Sequence, residues 1–560
     1  MNVKSEFVDA LASVLKGNLP NDTIKSLIEK PKSEEHGDLA FPCFQLARTW
    51  KTAPPYIAVE VASKLQSPMI EKVKAVGPYV NVFLKKELVS ENVLKEVVEK
   101  GSHYGHHSAG QGKNAVFDFS SPNIAKPFSM GHLRSTIIGQ SLANLAEKNG
   151  YQPVRVNHLG DWGTQFGKLM SAYTRWGFEE EVQQAPIPSL MRYYVRFHEE
   201  ADNDPSLLDE GRAWFKKLEE GDSKATELWT WFKEESLKEF EKVYQLLGIT
   251  FDYVQGESFY NDKMEAVVAE LGKKGLLTVS EGAHVVKVGE EKPPCLIKKT
   301  DGTTLYATRD LAAAIYRQQT FNFSKCIYVV GAEQQLHFQQ IVHVLAQMGY
   351  SWAKEMVHVP FGLILKNGKK MSTRKGKIVL LEDVLTDAIT RASSNIAEKN
   401  PSLTAKEEVA KDVGVGAVIF HDLKNERMNS VEFNLKHMLT FEGETGPYVQ
   451  YTHARAMSIL RKAESYNGEV RGLGDEASWI VIKELMNFPE VTKRAWENYE
   501  PSVMAKYLLA LSSAFNKYYG KVKILNSDAE LSSRLILTKA VVIVLKEGLR
   551  LLGMKAPNRM

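Results

Sequence analysis

The chain has 560 residues, of which 44% are hydrophobic and 25% are charged, and its net charge is +3. This length exceeds that of a protein with a single hydrophobic core, and the composition excludes a disordered or fibrous protein. Because the net charge is weak, a polyanionic partner would have to bind to local basic patches. Three scattered cysteines indicate neither a disulfide framework nor a zinc site, and no apolar run reaches the roughly 18 residues of a membrane span, so we expect a soluble cytoplasmic protein without a membrane partner.

Residues 1–112 predict an N-terminal α+β domain. Its first helix carries an apolar stripe, the extended segment VKAVGPYVNVFL follows, and the helix VSENVLKEVVEKG comes last. The stretch GSHYGHHSAGQGK, rich in Gly, His and Ser, is typical of a linker.

Residues 113–435 predict a Rossmann-like parallel sheet with helices on both faces, because strand patterns alternate with helix patterns. The strand candidates are NAVFDFSS, PVRVNHLG, KCIYVVGA and MVHVPFGLIL, and the helices LAAAIYRQQ and LHFQQIVHVLAQMG lie among them. Acidic, Trp-rich helices from about 175 to 260 interrupt this alternation, which we interpret as an insertion. Residues 436–560 are helix-periodic and predict an all-α helical bundle.

A polar turn lies at the first strand-to-helix junction, where SPNIAKPFSMGHLRST covers Ser121–Thr136. Strand, turn and helix in this order direct helix N–H groups at an anion, which indicates a phosphate-bearing ligand. Pro127 fixes φ before the helix, Gly131 leaves the backbone open to a flat base, and His132 can donate to a phosphate or ribose oxygen. A tight turn with a capping histidine is the alternative.

A basic stretch, GLILKNGKKMSTRKGK, covers Gly362–Lys377 after a predicted strand. A cationic loop suits a leaving pyrophosphate, because the negative charge that develops there needs donors that can reach it. A solvated basic loop is the alternative. The basic residues of the stretch are Lys366, Lys369, Lys370, Arg374, Lys375 and Lys377.

SMGH and KMSTR resemble, in this order, the HxGH and KMSKS signatures of class I aminoacyl-tRNA synthetases. Essentially the whole chain is similar to arginyl-tRNA synthetases, through SPNIAKPFSMGHLRSTIIG, NHLGDWGTQFG, LYATRDLAAAIYR, GPYVQYTHAR and APNRM. The resemblance implies a monomer that joins L-arginine to its tRNA through an arginyl-adenylate, with tRNA needed for the first step. It also implies ATP as a substrate and Mg²⁺ held by phosphates, with no dedicated protein metal site.

The resemblance implies catalytic roles for His132, Lys126, Lys370, Arg374 and Ser129. Ser129 stands where the family has the first histidine of HxGH, so a hydroxyl replaces one donor. Arg374 supplies the charge of the second lysine of KMSKS. A planar guanidinium thus replaces the compact ammonium group of lysine. Lys126 is expected to take over part of the role of that second lysine. The implied ATP site contains Gly131, His132, Lys126, Met371 and Ser372.

An arginine ligand carries a guanidinium with five donors, which requires carboxylates and other oxygen acceptors in its plane. LYATRDLAA places Tyr306 and Asp310 four residues apart on one helix face, with helix capping or solvent contact as the alternative. The resemblance implies that both bind the guanidinium. It implies that the rest of the arginine pocket contains Ser121, Asn123, His132, Glu257 and Gln334.

Tyr79 and Asn81 lie two residues apart in GPYVNVFL, so their side chains share one face of a strand. Because Val80 and Val82 are the better core residues, we predict that Tyr79 and Asn81 point outward, where they suit stacking on and hydrogen bonding to a splayed base. The alternative is a tyrosine packed at a strand edge. The resemblance implies a D-loop contact for this pair and anticodon-loop contacts, with core packing as the alternative, for Tyr451, Arg455, Tyr518 and Met560.

Two other functions remain open from the sequence. A small-molecule nucleotidyltransferase would share the HxGH-type core, but it would need neither GPYVN nor the C-terminal helical region. A catalytically impaired, synthetase-like RNA-binding protein is favoured by Ser129 alone, and His132, Lys370 and Asp310 argue against it.

Overall fold

The structure, a computed structural model, describes residues 3–31, 33–289, 292–300, 306–371, 373–374, 377–463 and 470–560. Its N-terminal region is a three-stranded antiparallel sheet with helices packed on one face. Val80 and Val82 of the central strand lie in this core, as predicted. The elements are α1 (Val3–Leu15), α2 (Asn21–Leu27), β1 (Leu39–Pro42), α3 (Leu46–Trp50), α4 (Pro54–Lys64), β2 (Ile70–Val76) and β3 (Tyr79–Leu84).

The opposite face of β3 differs from the prediction. Tyr79 is half-buried, with its ring edge-on to Phe44, but Asn81 is only 4% exposed, so the prediction that Asn81 points freely outward is wrong. Asn81 lies in the middle of the central strand, between its cross-strand partners Ala40 and Lys74. Because strands flank it on both sides, a short side chain at this position has little exposed surface.

The remaining strands and helices extend from residue 86 to residue 551. The strands are β4 (Asn114–Asp118), β5 (Gln152–Asn157), β6 (Tyr253–Val254), β7 (Thr278–Ser280), β8 (Ala283–Val286), β9 (Cys295–Lys298), β10 (Phe323–Tyr328), β11 (Met356–His358), β12 (Ile364–Lys366), β13 (Lys369–Lys370), β14 (Thr373–Arg374), β15 (Lys377–Ile378) and β16 (Val431–Glu432). The helices are α5 (Lys86–Lys100), α6 (Leu133–Lys148), α7 (Thr164–Trp176), α8 (Glu179–Gln184), α9 (Pro186–Asn203), α10 (Ser206–Glu219), α11 (Ser223–Leu247), α12 (Met264–Lys273), α13 (Tyr306–Phe321), α14 (Gln335–Gln347), α15 (Leu381–Lys399), α16 (Lys406–Leu423), α17 (Leu435–Met438), α18 (Gly446–Lys462), α19 (Glu476–Glu497), α20 (Ser502–Lys521) and α21 (Leu531–Leu551).

The predicted parallel sheet is confirmed, with the strand order β11-β10-β4-β5-β6 and every neighbouring pair parallel. MVHVPFGLIL, predicted as one strand, forms two, because β11 ends before Pro360 and β12 begins after Gly362. From β4 the chain continues to β5 and β6 on one side of the sheet and later returns to add β10 and β11 on the other side. The strand order therefore reverses at β4. A parallel sheet leaves a crevice for ligands at the carboxyl end of such a strand. The polar turn begins at this point.

The predicted helical insertion and C-terminal helical bundle are both present, as α8–α11 and α18–α21. The helix α5 packs against α19 and α21 of the bundle. The predicted linker also packs on the bundle, because Tyr104 is only 4% exposed and its hydroxyl donates to Leu485 O at 2.9 Å. Among the described residues, no helix combines the length and apolar character that a bilayer span requires.

Candidate active site

The polar turn after β4 is held in a strained backbone conformation. Ser120, Ser121 and Ala125 have φ values of 70°, 49° and 56°. A residue with a Cβ atom in this left-handed region costs about 1 kcal/mol or more, and such strain is concentrated at functional sites. Hydrogen bonds stabilise the turn, from Ser120 N–H to Ser135 Oγ at 2.9 Å and from Ala125 N–H to Ser236 Oγ at 2.8 Å.

Ser129 and His132 cap the short 3₁₀ helix Met130–His132 at the end of the turn. The Ser129 hydroxyl accepts from Gly131 N–H at 3.3 Å, and Ser129 N–H donates to His132 Nδ1 at 3.1 Å. Nδ1 also lies 3.3 Å from Ser129 O, so the Ser129 backbone holds the ring through Nδ1. Burial lowers the pKa of His132, so the ring is neutral.

A cavity of about 240 Å³ lies between this turn and the strand that leads into the basic stretch. Backbone hydrogen bonds join its two sides, from Met130 N–H to Val379 O and from Leu381 N–H to Phe128 O, both at 3.0 Å. The predicted site residues that line it together are Ser121, Gly131, His132, Lys370 and Met371. Residues that were not predicted also line it, among them Arg134, Ser135, Glu333 and Phe361.

The basic stretch begins as a β-hairpin, in which Asn367 and Gly368 join β12 to β13 at positive φ. The Glu432 carboxylate accepts from the backbone N–H groups of both turn residues. The hairpin places Lys370 at the cavity with its side chain exposed. Lys126 is exposed on the polar turn and is not among the residues that line the cavity.

Met371 is only 4% exposed, and its N–H donates to Ile364 O at 2.9 Å. It therefore contributes to the cavity as part of the packed wall. Ser372 lies outside the described residues, and so does the side chain of Arg374. Counted position by position, the second lysine of KMSKS falls on Thr373, one residue before Arg374.

A network of charged side chains lies at the carboxyl end of the parallel sheet. Asp118, the last residue of β4, pairs with the fully buried Arg317 at 2.8 Å, and Arg317 Nη2 lies 3.4 Å from His158 Nδ1. Asp310 Oδ2 lies 2.6 Å from His337 Nε2. Although burial favours its neutral form, the hydrogen bond from His337 and the charges of His158 and Arg317 keep the pKa of Asp310 below its ordinary value. Asp310 is therefore an ionised acceptor.

Glu257 is electrostatically coupled to Asp310. Burial raises the pKa of Glu257 to about 7, the Arg309 guanidinium opposes this rise from 3.7 Å, and the charges of Asp310 and Asp161 add to it. Asp161 holds the Glu257 segment in place, since it accepts from Ser258 N–H at 2.8 Å. Two carboxylates, Glu257 and Asp310, therefore influence each other in this part of the site.

The other predicted arginine-site residues lie around this network. Ser121 Oγ donates to Asp118 Oδ1 at 3.0 Å. Asn123 and Gln334 are exposed, and Tyr306, which begins α13 one turn before the aspartate, is 64% exposed. The polar groups of these three side chains are open to a ligand.

Comparison with known proteins identifies the family. The model for "tRNA synthetases class I (R), catalytic domain" matches residues 93–435, "Arginyl tRNA synthetase N terminal domain" matches 1–84, and "DALR anticodon binding domain" matches 449–560. Relatives named arginine–tRNA ligase from an Exiguobacterium species and from Enterococcus faecalis are 59% and 57% identical over 100% of both chains. The chain belongs to the arginyl-tRNA synthetase family.

Solved structures of arginyl-tRNA synthetases share the fold. The enzyme from Thermus thermophilus superimposes with a TM-score of 0.83 at 25% identity, and the alignment covers 100% of both chains. The enzyme from Plasmodium falciparum gives a TM-score of 0.84 at 25% identity, over 100% of this chain and 98% of that one. The resemblance to arginyl-tRNA synthetases and the predicted fold class are confirmed.

In this member of the arginyl-tRNA synthetase family, the residues predicted at the anticodon loop divide into exposed and buried ones. The Arg455 guanidinium lies over the rings of Tyr451 and Tyr519, at 4.8 and 5.2 Å, and both rings are exposed. Tyr518 is only 1% exposed, so the structure contradicts its predicted tRNA contact. It belongs to the apolar stripe of α20, and its neighbour Tyr519 is the exposed tyrosine. Met560 is half-buried and packs on the helical core.

Proposed function

We infer that this protein is an arginine–tRNA ligase. It uses ATP to attach L-arginine to its cognate tRNA through an arginyl-adenylate and releases AMP and diphosphate. The observation that carries this inference is the cavity at which Gly131 and His132 of the HxGH-type turn meet Lys370 and Met371 of the KMSKS-type stretch. The chain around that cavity is 59% identical over its full length to a relative of this name.

In the first step, the arginine carboxylate attacks the α-phosphorus of ATP and pyrophosphate leaves. We propose that Asp310 and Glu257 bind the guanidinium, and that Ser121, Asn123, Tyr306 and Gln334 complete the pocket. The protein supplies position and charge rather than a nucleophile, because the substrate carboxylate is itself the nucleophile.

The ATP phosphates bind on the nucleotide side of the site, between the polar turn and the basic stretch. We propose that His132 donates from Nε2 and that Lys370, Lys126 and Arg374 stabilise the negative charge that develops as pyrophosphate leaves. Mg²⁺ enters with ATP, held by phosphate oxygens and water. Nowhere in the described ranges do three or more His, Cys, Asp or Glu side chains group as metal ligands, and a protein-held metal is not part of the proposal.

In the second step, a terminal ribose hydroxyl of the tRNA attacks the adenylate carbonyl and AMP leaves. We propose a D-loop-contacting domain (1–112), a catalytic domain (113–435) and an anticodon-binding domain (436–560) in a cytoplasmic monomer. The half-buried Tyr79 supports the first assignment, since bases stack on aromatic rings. A groove of about 580 Å³ lined by Arg455, Lys462, Tyr519 and Lys523 supports the last.

ATP–pyrophosphate exchange, run over all amino acids with and without arginine tRNA, tests this function. The proposal predicts exchange with arginine alone among the amino acids, and only when arginine tRNA is present. A nucleotidyltransferase would show exchange only with its own small-molecule acceptor and without any need for tRNA. An impaired RNA-binding protein would bind tRNA but show no exchange with any amino acid. No structural observation favours either alternative, since His132, Lys370 and Asp310 are all in place around the site.

A further inference from the structure

The segment 425–432 forms the outer support of one wall of the nucleotide cavity. Gly362 N–H donates to Arg427 O at 2.9 Å, and Val431 N–H donates to Leu363 O at 2.8 Å. The segment ends in β16, which pairs in parallel with β12. Gly362, Leu363 and the first residue of β12 line the cavity. The backbone of segment 425–432 therefore fixes the backbone of that wall.

The contact between the segment and the wall has no free space. A Cβ atom on Gly362 would lie 2.7 Å from Met428 O and 2.8 Å from the Asn429 carbonyl carbon. From the other side, Arg134 Nη1 donates to Asn429 O at 2.8 Å. Because packed surfaces of this kind do not deform continuously, a shift of the segment moves the wall with it.

The side chain of Arg427 connects this wall to the helical bundle. Its Nη1 donates to Pro360 O at 2.7 Å, and its Nε donates to Tyr499 O at 3.1 Å. The Glu500 carboxylate accepts from Arg427 N–H at 3.3 Å. Tyr499 and Glu500 form the turn between α19 and α20, and Arg427 and Glu500 are only 20% and 17% exposed. One half-buried guanidinium thus donates to two carbonyls, one from each domain.

We propose that Arg427 is a positioning residue that transmits the position of the α19–α20 turn to the nucleotide cavity. It touches no reacting atom, and it acts through the backbone from Pro360 to Leu363. The inference rests on the proposed function, since it places ATP at that wall. Arginine is suited to this role because its planar fork donates in two directions at once, whereas lysine has a single ammonium group.

The test compares Arg427→Ala and Arg427→Lys with Lys506→Ala. Lys506 of α20 pairs at 3.2 Å with Glu426, the neighbour of Arg427, but both side chains are exposed, at 58% and 62%. It makes no bond to the wall among the described contacts. For each variant, KM for ATP and KM for arginine are measured by ATP–pyrophosphate exchange at saturating tRNA, together with the thermal melting temperature.

We expect Arg427→Ala to raise KM for ATP about 3- to 30-fold, the range typical of coupling through a packed network, and to leave KM for arginine nearly unchanged. Arg427→Lys is expected to give an intermediate value, and it remains informative if the alanine variant does not fold. Lys506→Ala is expected to match the wild type. An unchanged KM for ATP in both Arg427 variants overturns the inference, and so does an equal rise in both KM values that follows lost thermal stability. Absence of arginine-dependent exchange in the wild type would instead overturn the proposed function.

Discussion

The proposed amino-acid side and the proposed nucleotide side of the site are built differently. On the amino-acid side the charges are already paired, Asp118 with Arg317 at 2.8 Å and Asp310 with His337 at 2.6 Å. On the nucleotide side the wall is packed backbone, and Lys370 is exposed. A paired, partly buried network can select a ligand in the ground state, whereas an exposed cation can interact with charge that appears only in the transition state. The two sides should therefore respond differently to mutation.

The largest effect is expected from Lys370→Ala. The rate of adenylate formation should fall about 100- to 1000-fold, because a donor to the developing charge is lost. KM for arginine should hardly change, since the amino-acid side is intact. ATP–pyrophosphate exchange measures both quantities, and Lys126→Ala should change the rate in the same direction. Lys369→Ala is the matched control, because adjacent side chains of a strand point to opposite faces. Equal effects at both lysines would mean that only general charge matters.

Asp310→Ala is expected to raise KM for arginine about 10- to 100-fold, from the loss of a charge-assisted hydrogen bond worth about 1.5–3 kcal/mol. KM for ATP should stay close to the wild-type value. Asp310→Asn is the control, because it keeps an acceptor for His337 and removes only the charge. If KM for arginine were unaltered in Asp310→Ala, the carboxylate would not belong to the pocket.

A smaller, pH-dependent effect is expected from Glu257, whose pKa burial raises to about 7. The guanidinium contact that we propose needs the ionised form, so KM for arginine should rise severalfold as the pH falls from 8 to about 6. In the ligand-free protein the native state holds this proton more tightly than the unfolded state does. The free energy of unfolding therefore falls as the pH rises from about 4.5 to 7.

Glu257→Gln separates these two consequences. The variant should lose the pH dependence of KM for arginine, and its melting temperature at pH 8 should be at least that of the wild type. A pH profile that is identical in Glu257→Gln and the wild type would assign the titration to another group.

The smallest effect is expected at Ser129, which the structure makes a cap. Ser129→Ala should lower stability by about 0.5–2 kcal/mol and reduce exchange only severalfold. Ser129→Asn should restore both, because asparagine also accepts from a backbone N–H. If Ser129→Asn were stable yet as slow as the alanine variant, the hydroxyl itself would be acting on the phosphates.

The parallel sheet and the two signature stretches could be predicted because each depends on local pattern. The pairing of Asp118 with Arg317 could not, since the two residues are far apart in sequence and only the packing of α13 against β4 joins them. Asp118 did leave a signal, as a charged residue in an otherwise apolar strand. His337 left none, because its partner lies on another helix.

Two residue-level errors have different physical origins. Tyr518 follows Leu511 and Phe515 at helical spacing, so the apolar stripe of α20 already indicated that it is buried. Asn81 shares a strand face with Tyr79, as predicted, and alternation alone does not reveal that neighbours cover a short side chain in a central strand. Alternation therefore predicts the face, while exposure depends on the surrounding strands.

The most direct test of the account is discrimination between arginine and citrulline, which has nearly the same shape but carries a neutral ureido group. Aminoacylation of arginine tRNA is measured with each amino acid over a range of concentrations. The two carboxylates proposed to face the ligand predict that kcat/KM for arginine exceeds that for citrulline by about 1000-fold or more, because a neutral ureido group forms no ion pair with Asp310 or Glu257. Charging of the tRNA with citrulline at a comparable kcat/KM would contradict the assignment of Asp310 and Glu257 to the guanidinium.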